Sequence, residues 1–393
     1  MATQKIITRD FLLAFFSQFA LASVFYILIP TLPIYLSRLG SNEVEIGILI
    51  GILSVFALIF RPFVGRALLK IPERNFMVAG ALLYAFTSVV YLITPPFWPF
   101  LLVRVFQGIG MAFFYTASVT LITNISGETN RGQSLSYFFL AFNLAFALAP
   151  LFGMFFINRF SFNYLFLVCS GISLCSLFFT IRLGKGQINP SLDSSIEDGS
   201  LSSRKAIPSS IVYFFSHFIW GGITTFFPLY ALDHGMTNPG LFFAAYAITL
   251  ILSRALGGRI LDLYSREKVI LPALAAFVIA MILLTFSKTL PMFILVAVIW
   301  GIGNAFLTPA LMAYAIDLVG SSRGPTVGIF TAIGDFGTGM GSVIMGIILR
   351  LTNYQTMFLC LALTGIINLN YFYFFVRKEE VFRAILKRDE YDR

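Results

Sequence analysis

The sequence predicts an all-α membrane protein: twelve transmembrane helices in two pseudo-symmetric six-helix bundles. Three observations predict it. The 393 residues are 58% hydrophobic and only 11% charged, with a mean hydropathy of +0.87, whereas a soluble globular domain carries roughly 25% charged residues. No soluble fold hides that much apolar surface, so hydrocarbon is the expected solvent. Twelve apolar runs each approach the ~20 residues that a spanning helix needs. Finally, phrases in the first half recur in the second at a fixed distance.

The runs follow in order. The first, 10–36, is too long for the core of a signal peptide and reads as an uncleaved span. The second and third are 45–69 and 75–94, and the basic stretch RPFVGRALLKIPER (61–74) runs from the end of the second to the start of the third. The fourth, 98–123, carries Arg104 and Gln107. The fifth and sixth are 131–157 and 162–183. The stretch 184–208 then turns rich in Ser, Gly, Pro and charge, which is linker composition. Spans seven to twelve follow at 209–232, 239–261, 268–288, 291–317, 324–350 and 354–376, and 377–393 is a charged tail. The expected organisation is a first bundle over 1–183, a linker over 184–208 and a second bundle over 209–376.

Repeats support that division. FQGIGMAFFYTA (106–117) matches IWGIGNAFLTPA (299–310), and Arg61, Gly65 and Arg66 align with Arg254, Gly258 and Arg259, both pairs 193 residues apart. LPIYLSRLG (32–40) matches FPLYALDHG (227–235) at a similar separation. The paired phrases run in the same direction. A parallel repeat about an axis normal to the membrane is one of the two-half transporter plans.

Charge sets the orientation. Placing the odd-numbered connections outside leaves them only Arg38, Arg159, Lys288 and Arg350, with nearly all the rest of the 27 Lys and Arg at the termini, linker and even-numbered connections. Positive residues mark the cytoplasmic side, so both termini and the linker are expected there. Bare spans with minimal loops suit a bacterial inner membrane. The net charge of +9 is thus a topology signal spread over short loops, not a nucleic-acid surface. The three cysteines lie in apolar runs without metal spacing, and two histidines build no zinc site. No phosphate-binding Gly-Lys-Ser/Thr loop is present, and GTGMGS (337–342) lies within a span without a preceding strand. No clustered nucleophile at membrane depth suggests an enzyme, and no cofactor is implied.

Three local patterns resemble the major facilitator superfamily, over essentially the whole chain. Gly258, Asp262 and Arg266 match its Gly-x-x-x-Asp-x-x-x-Arg loop signature. In the first half Gly65 matches, but Leu69 replaces the acid and Glu73 the arginine. Arg104, Gln107, Gly108 and Gly110 match its Arg-x-x-Gln-Gly-x-Gly. ALAPLFG (147–153) resembles the Gly-Pro-x-x-Gly signature of proton-coupled drug exporters, with Ala149 in place of the glycine. The resemblance implies a secondary active transporter, monomeric and working by alternating access, with a small organic substrate and protons as the coupled ion. Rival functions are uptake or facilitated diffusion of a polar solute, a lipid or lysolipid transporter, and a non-transporting receptor.

Candidate residues follow from their cost. An ionisable side chain inside a span is functional by default. Asp335 lies about eleven residues into span 11, near the midplane at ~1.5 Å per residue, among glycines that let helices approach. A carboxyl in apolar surroundings holds its proton more tightly, and an approaching arginine has the reverse effect. Asp335 is therefore the expected proton or substrate group; the alternative is a packing contact. Arg104 is either its partner or a donor to backbone carbonyls. Asn143 is the half-repeat counterpart of Asp335, and His217 is a further titratable candidate. Spans 1, 4, 7 and 10 are expected to line the cavity, with Gln18, Tyr26, Gln107, Tyr115, Trp220, Thr224 and Asn304 as wall residues. A cytoplasmic gate is expected from Gly65, Arg66, Arg74, Arg131, Gly258, Asp262 and Arg266. In it the Asp262 carboxylate would face the start of span 5 near Arg131 and Gly132.

Overall fold

The computed structural model describes residues 7–95, 97–126, 130–184, 207–258, 260–319 and 323–377, and these contain helices and turns but no strands. Twelve long helices follow one another: α1 (Arg9–Arg38), α2 (Glu43–Ala67), α3 (Glu73–Val90), α4 (Trp98–Ile125), α5 (Arg131–Arg159), α6 (Phe162–Ile181), α7 (Ile207–Asp233), α8 (Gly240–Gly257), α9 (Arg266–Phe286), α10 (Leu290–Val319), α11 (Arg323–Leu351) and α12 (Tyr354–Tyr371). A π-helical turn, Phe372–Val376, extends the last, and one helical turn, Ile260–Leu263, joins α8 to α9. A helix stands at every expected span, with ends within a few residues. Eleven of the helices are long and apolar enough to cross a membrane by length and composition. The other is α3, whose first turn is the polar run Glu73-Arg74-Asn75.

Local sequence sets the helix ends. Thr8 caps α1, its hydroxyl accepting from Phe11 N at 3.2 Å. Asn42 and Glu45 form a reciprocal capping box on α2, satisfying two orphan donors of its first turn. The repeated phrases LPIYLSRLG and FPLYALDHG end on glycines with positive φ, Gly40 at 86° and Gly235 at 78°. In both, the glycine N–H reaches the carbonyl three residues back (Ser37, Leu232) and the next N–H reaches the carbonyl five back (Leu36, Ala231). That is a Schellman stop, which needs a left-handed residue. The duplicated words therefore encode the same turn after α1 and α7.

Packing repeats the pattern helix for helix. In the first half α1 packs on α5 and α6, α3 on α4 and α6, and α2 on α4; in the second α7 packs on α11 and α12, α9 on α10 and α12, and α8 on α10. The halves meet chiefly where α2 lies along α11 and α5 along α8.

That seam is made of small residues. A Cβ on Gly47 would fall 2.5 Å from Ser342 O, on Gly51 2.6 Å from Gly339 O, on Gly346 2.5 Å from Glu43 O, and on Gly240 2.6 Å from Pro150 O. The expected glycine packing around Asp335 is present: Gly337 and Gly341 lie on α7, and Gly339 on α2. Small residues let backbones touch, which is how helices associate when lipid offers no hydrophobic drive. Glu43–Arg350 (3.4 Å) and Asn158 Nδ2 to Thr237 O (2.9 Å) add polar ties across the same end. At the opposite, basic end Gly65 and Gly132 face open space. Among the described residues, the close contacts between the halves thus gather at the Glu43 end, and these two glycines at the end carrying Arg66 and Arg131 take no part in them.

Candidate functional site

A cavity of about 250 Å³ lies between the halves. α1 gives it Gln18, Leu21, Ala22, Phe25 and Tyr26; α2 gives Arg61; α3 gives Tyr84; α4 gives Met111, Phe114 and Tyr115; α5 gives Phe142. From the second half come Tyr213 and His217 of α7 and Thr331 and Asp335 of α11. Spans 1, 4 and 7 line it as expected, but no α10 residue does. α10 turns Trp300 inward, fully buried, against Tyr246 (4.6 Å between ring centroids) and Trp220 (5.3 Å), and that packing fills the space. The cavity is correspondingly displaced toward the first half.

Asp335 is in the cavity wall, and its partner is Arg61. The two side chains form an ion pair and are only 21% and 14% exposed. The Arg61 guanidinium also lies over the Tyr115 ring, 4.9 Å from its centroid, a cation–π contact that favours the charged arginine. Arg61 belongs to α2 and Asp335 to α11, so the pair joins the two halves. Along these antiparallel helices Gly47 meets Ser342 and Gly51 meets Gly339. Further along the same pair of helices, the long arginine side chain reaches from α2 to Asp335 on α11.

Arg104 is not that partner. It is 4% exposed and donates from Nε to Leu49 O (2.8 Å), from Nη2 to Ile50 O (3.2 Å) and from Nη1 to Gln107 Oε1 (2.5 Å). Tyr91 OH donates to the same Gln107 oxygen at 2.5 Å. Arg104 thus fastens α4 to α2, and Gln107 ties Arg104 to Tyr91 at the end of α3, outside the cavity; Gln107 is a brace and not a wall residue. Arg104→Ala is expected to leave the Leu49 and Ile50 carbonyls without these donors, costing about 1–3 kcal/mol. A lower melting temperature in detergent, partly restored by Arg104→Lys, would show it. An unchanged melting temperature with lost transport would return Arg104 to the transport path.

The remaining candidates divide. Gln18 accepts from Ser118 Oγ (2.8 Å), which leaves its amide nitrogen as a donor. His217 Nδ1 lies 3.2 Å from Tyr213 O; a carbonyl only accepts, so this nitrogen carries the hydrogen. Its ring rests on Tyr213 at 3.9 Å. Trp220, Thr224, Asn304 and Asn143 do not line this cavity. Thr224 bonds back to Trp220 O (2.8 Å) and Asn304 Oδ1 accepts from Thr308 (2.9 Å). Trp220 belongs to a cluster just above the cavity. There Phe146 of α5 meets Tyr26 (4.7 Å), Trp220 (5.4 Å), Tyr246 (5.5 Å) and Phe243 (6.2 Å). These rings cross between the halves and roof the cavity toward the Glu43 end.

Of the gate residues, Arg74 bonds Ile181 O and Arg131 bonds Thr123 O (3.2 Å), each within the first half. Arg66 is exposed, Gly65 faces open space, Gly258 follows the last residue of α8 and Arg266 opens α9. The side chain of Asp262 lies outside the described residues.

Sequence reasoning missed Arg61, grouping it with the basic loop. The signal was available. Arg61 sits six residues before the end of α2, so by helical rise it lies ~9 Å inside the span. Its repeat partner Arg254 is also half-buried in a helix, donating to Ala305 O at 3.2 Å.

With the geometry in view, comparison with known proteins gives a consistent result. The sequence profile of the Major Facilitator Superfamily matches residues 14–242 and 209–389, each covering one half and overlapping at α7. The chain is similar to the Staphylopine export protein of Staphylococcus aureus (strain Mu50 / ATCC 700699), 25% identical over 362 residues, 88% of this chain and 89% of that one. It is also similar to the Quinolone resistance protein NorA of Staphylococcus aureus (strain COL), 22% identical over 361 residues, 86% and 89% of the two chains. Among solved structures the nucleoside transporter NupG superposes with a TM-score of 0.78 at 15% identity, over 93% of this chain and 98% of that one. Two matched halves, a duplicated helix packing and a shared cavity between them make this chain a multi-pass membrane transporter, not an enzyme, and a member of the Major Facilitator Superfamily.

Proposed function

We propose that this protein exports a small organic molecule across a bacterial inner membrane by alternating access, driven by protons. The observation that carries the proposal is the Arg61–Asp335 pair, one titratable acid bonded across the two moving halves inside the cavity. The basic end is cytoplasmic on the charge rule, so the conformation described is open to the cytoplasm and sealed outside by the glycine seam and the Phe146 cluster. A proton or a cationic group arriving at Asp335 removes the reason for Arg61 to stay. The tie between α2 and α11 then loosens and the halves can rock. One chain encloses the whole cavity, so the monomer is the working unit.

The similarity to an export protein and to a quinolone resistance protein of S. aureus supports outward transport. Asp262 and Arg266 are proposed as the cytoplasmic latch, with Arg131 as its counterpart on α5. In everted vesicles, an inward-acid pH gradient is expected to drive accumulation of a fluorescent substrate dye, and a protonophore to collapse it. Accumulation that ignores the gradient would favour facilitated diffusion of a polar solute instead.

A further inference from the structure

The geometry points to an amphoteric aromatic substrate, one carrying both an ammonium and a carboxylate on a flat ring system, held by the Asp335 and Arg61 charges in the cavity. This rests on the transport reading above and names its substrate class.

The argument is one of charge. Among the described residues the cavity wall holds one full negative charge and one full positive charge, and these are spent on each other. A monocation that takes Asp335 leaves the Arg61 guanidinium, only 14% exposed, with the Tyr115 ring face alone. A monoanion that takes Arg61 strands Asp335. Leaving one member of a buried pair without its partner is the costly event. A ligand with both charges replaces both half-bonds together: its ammonium satisfies Asp335 and its carboxylate satisfies Arg61. The guanidinium is also incompletely used, since Arg61 Nε has no hydrogen-bond acceptor among the described residues. A carboxylate accepts from two guanidinium nitrogens at once, so it fills that vacancy.

The rest of the wall selects the ring. Tyr26, Tyr84, Tyr115, Phe25, Phe114 and Phe142 present aromatic faces and edges around the pair, which favour offset or edge contacts with a flat ligand. The volume of about 250 Å³ is small against typical ligand pockets of roughly 300–1,000 Å³. It suits one ring system with a short polar chain rather than a lipid.

Three probes of nearly constant shape separate the charges: tryptophan, its methyl ester (cation only) and N-acetyltryptophan (anion only). Thermal-shift and calorimetric titrations of the full-length protein in detergent at fixed pH 7 are expected to show tryptophan binding at least ~10-fold more tightly than either derivative. Arg61→Gln should shift the preference to the ester, and Asp335→Asn should shift it to N-acetyltryptophan. If either variant does not fold, the wild-type ranking decides. Equal or tighter binding of the ester or the N-acetyl compound overturns the assignment, as does a failure of all three to bind. The readout involves no gradient, so it fails separately from proton coupling. Gradient-driven dye transport that persists without zwitterion preference leaves the export reading intact and removes only the substrate class.

Discussion

Asp335→Asn is expected to abolish the response of transport to a pH gradient while leaving the protein folded. Asparagine keeps the shape and can still accept a hydrogen bond from Arg61, but it does not ionise. Removing one member of a buried ion pair costs roughly 3–5 kcal/mol where the survivor has no other support. Arg61 has two supports: it remains 14% exposed, and Tyr115 offers its ring face at 4.9 Å, worth about 0.5–2 kcal/mol. The loss of stability should therefore fall below that range and leave a cooperative melt. The functional loss should be complete for gradient-driven flux, measured in proteoliposomes with the substrate dye. Exchange of substrate at equal pH on both sides is expected to persist, because rocking itself needs no titration once the tie is weakened. Gradient-driven flux equal to wild type would remove Asp335 from coupling and reduce the pair to a packing contact. Arg61→Gln with intact Asp335 separates the roles of the two residues: the acid can still take a proton, but nothing resets it.

The fold was legible because its signals are local and repeated. Chain length per span, the glycine stops at Gly40 and Gly235 and the duplicated phrases each specify one element and confirm another. Asp335 was legible for a related reason: a carboxylate deep in a span is expensive, and its cost shows in the sequence. Its partner was harder to find. Arg61 lies near a helix end where basic residues are ordinary topology markers, and only the tertiary approach of α2 to α11 reveals that it points back into the cavity. Arg104 was open between two readings, and the structure selects the donor to backbone carbonyls. It is equally costly, but the Leu49 and Ile50 carbonyls satisfy it, and no sequence pattern distinguishes an arginine that bonds backbone from one that bonds a carboxylate. The absent α10 wall has the same origin, since Trp300 turns toward Tyr246 and Trp220 for reasons set by side-chain packing rather than periodicity.

Gly51→Ala is expected to shift the protein toward the outward-open state. The added methyl would stand 2.6 Å from Gly339 O and 3.3 Å from Gly339 Cα. Both are backbone atoms of α11, which have no rotamer to swing aside. Relief requires α2 and α11 to separate, and that separation is the opening of the outer seam. Overpacking of this kind costs typically 1–3 kcal/mol, a shift of roughly 5- to 150-fold in the ratio of the two states. Gly65→Ala, on the same helix, is the matched control, because its methyl meets nothing within 4 Å. The reporter is Ala22→Cys, a cavity position beneath the Phe146 roof, in a background with Cys169, Cys175 and Cys360 replaced by serine. Labelling from outside by an impermeant maleimide should be slow in the parent and several-fold faster with Gly51→Ala, and unchanged with Gly65→Ala. Asp262→Ala tests the proposed cytoplasmic latch with the same reporter and should move it the other way, faster from the cytoplasmic side and slower from outside. Equal rates for Gly51→Ala and its parent would mean that the glycine seam does not hold the outer end shut. Equal rates for Asp262→Ala would leave that acid as a marker of topology alone.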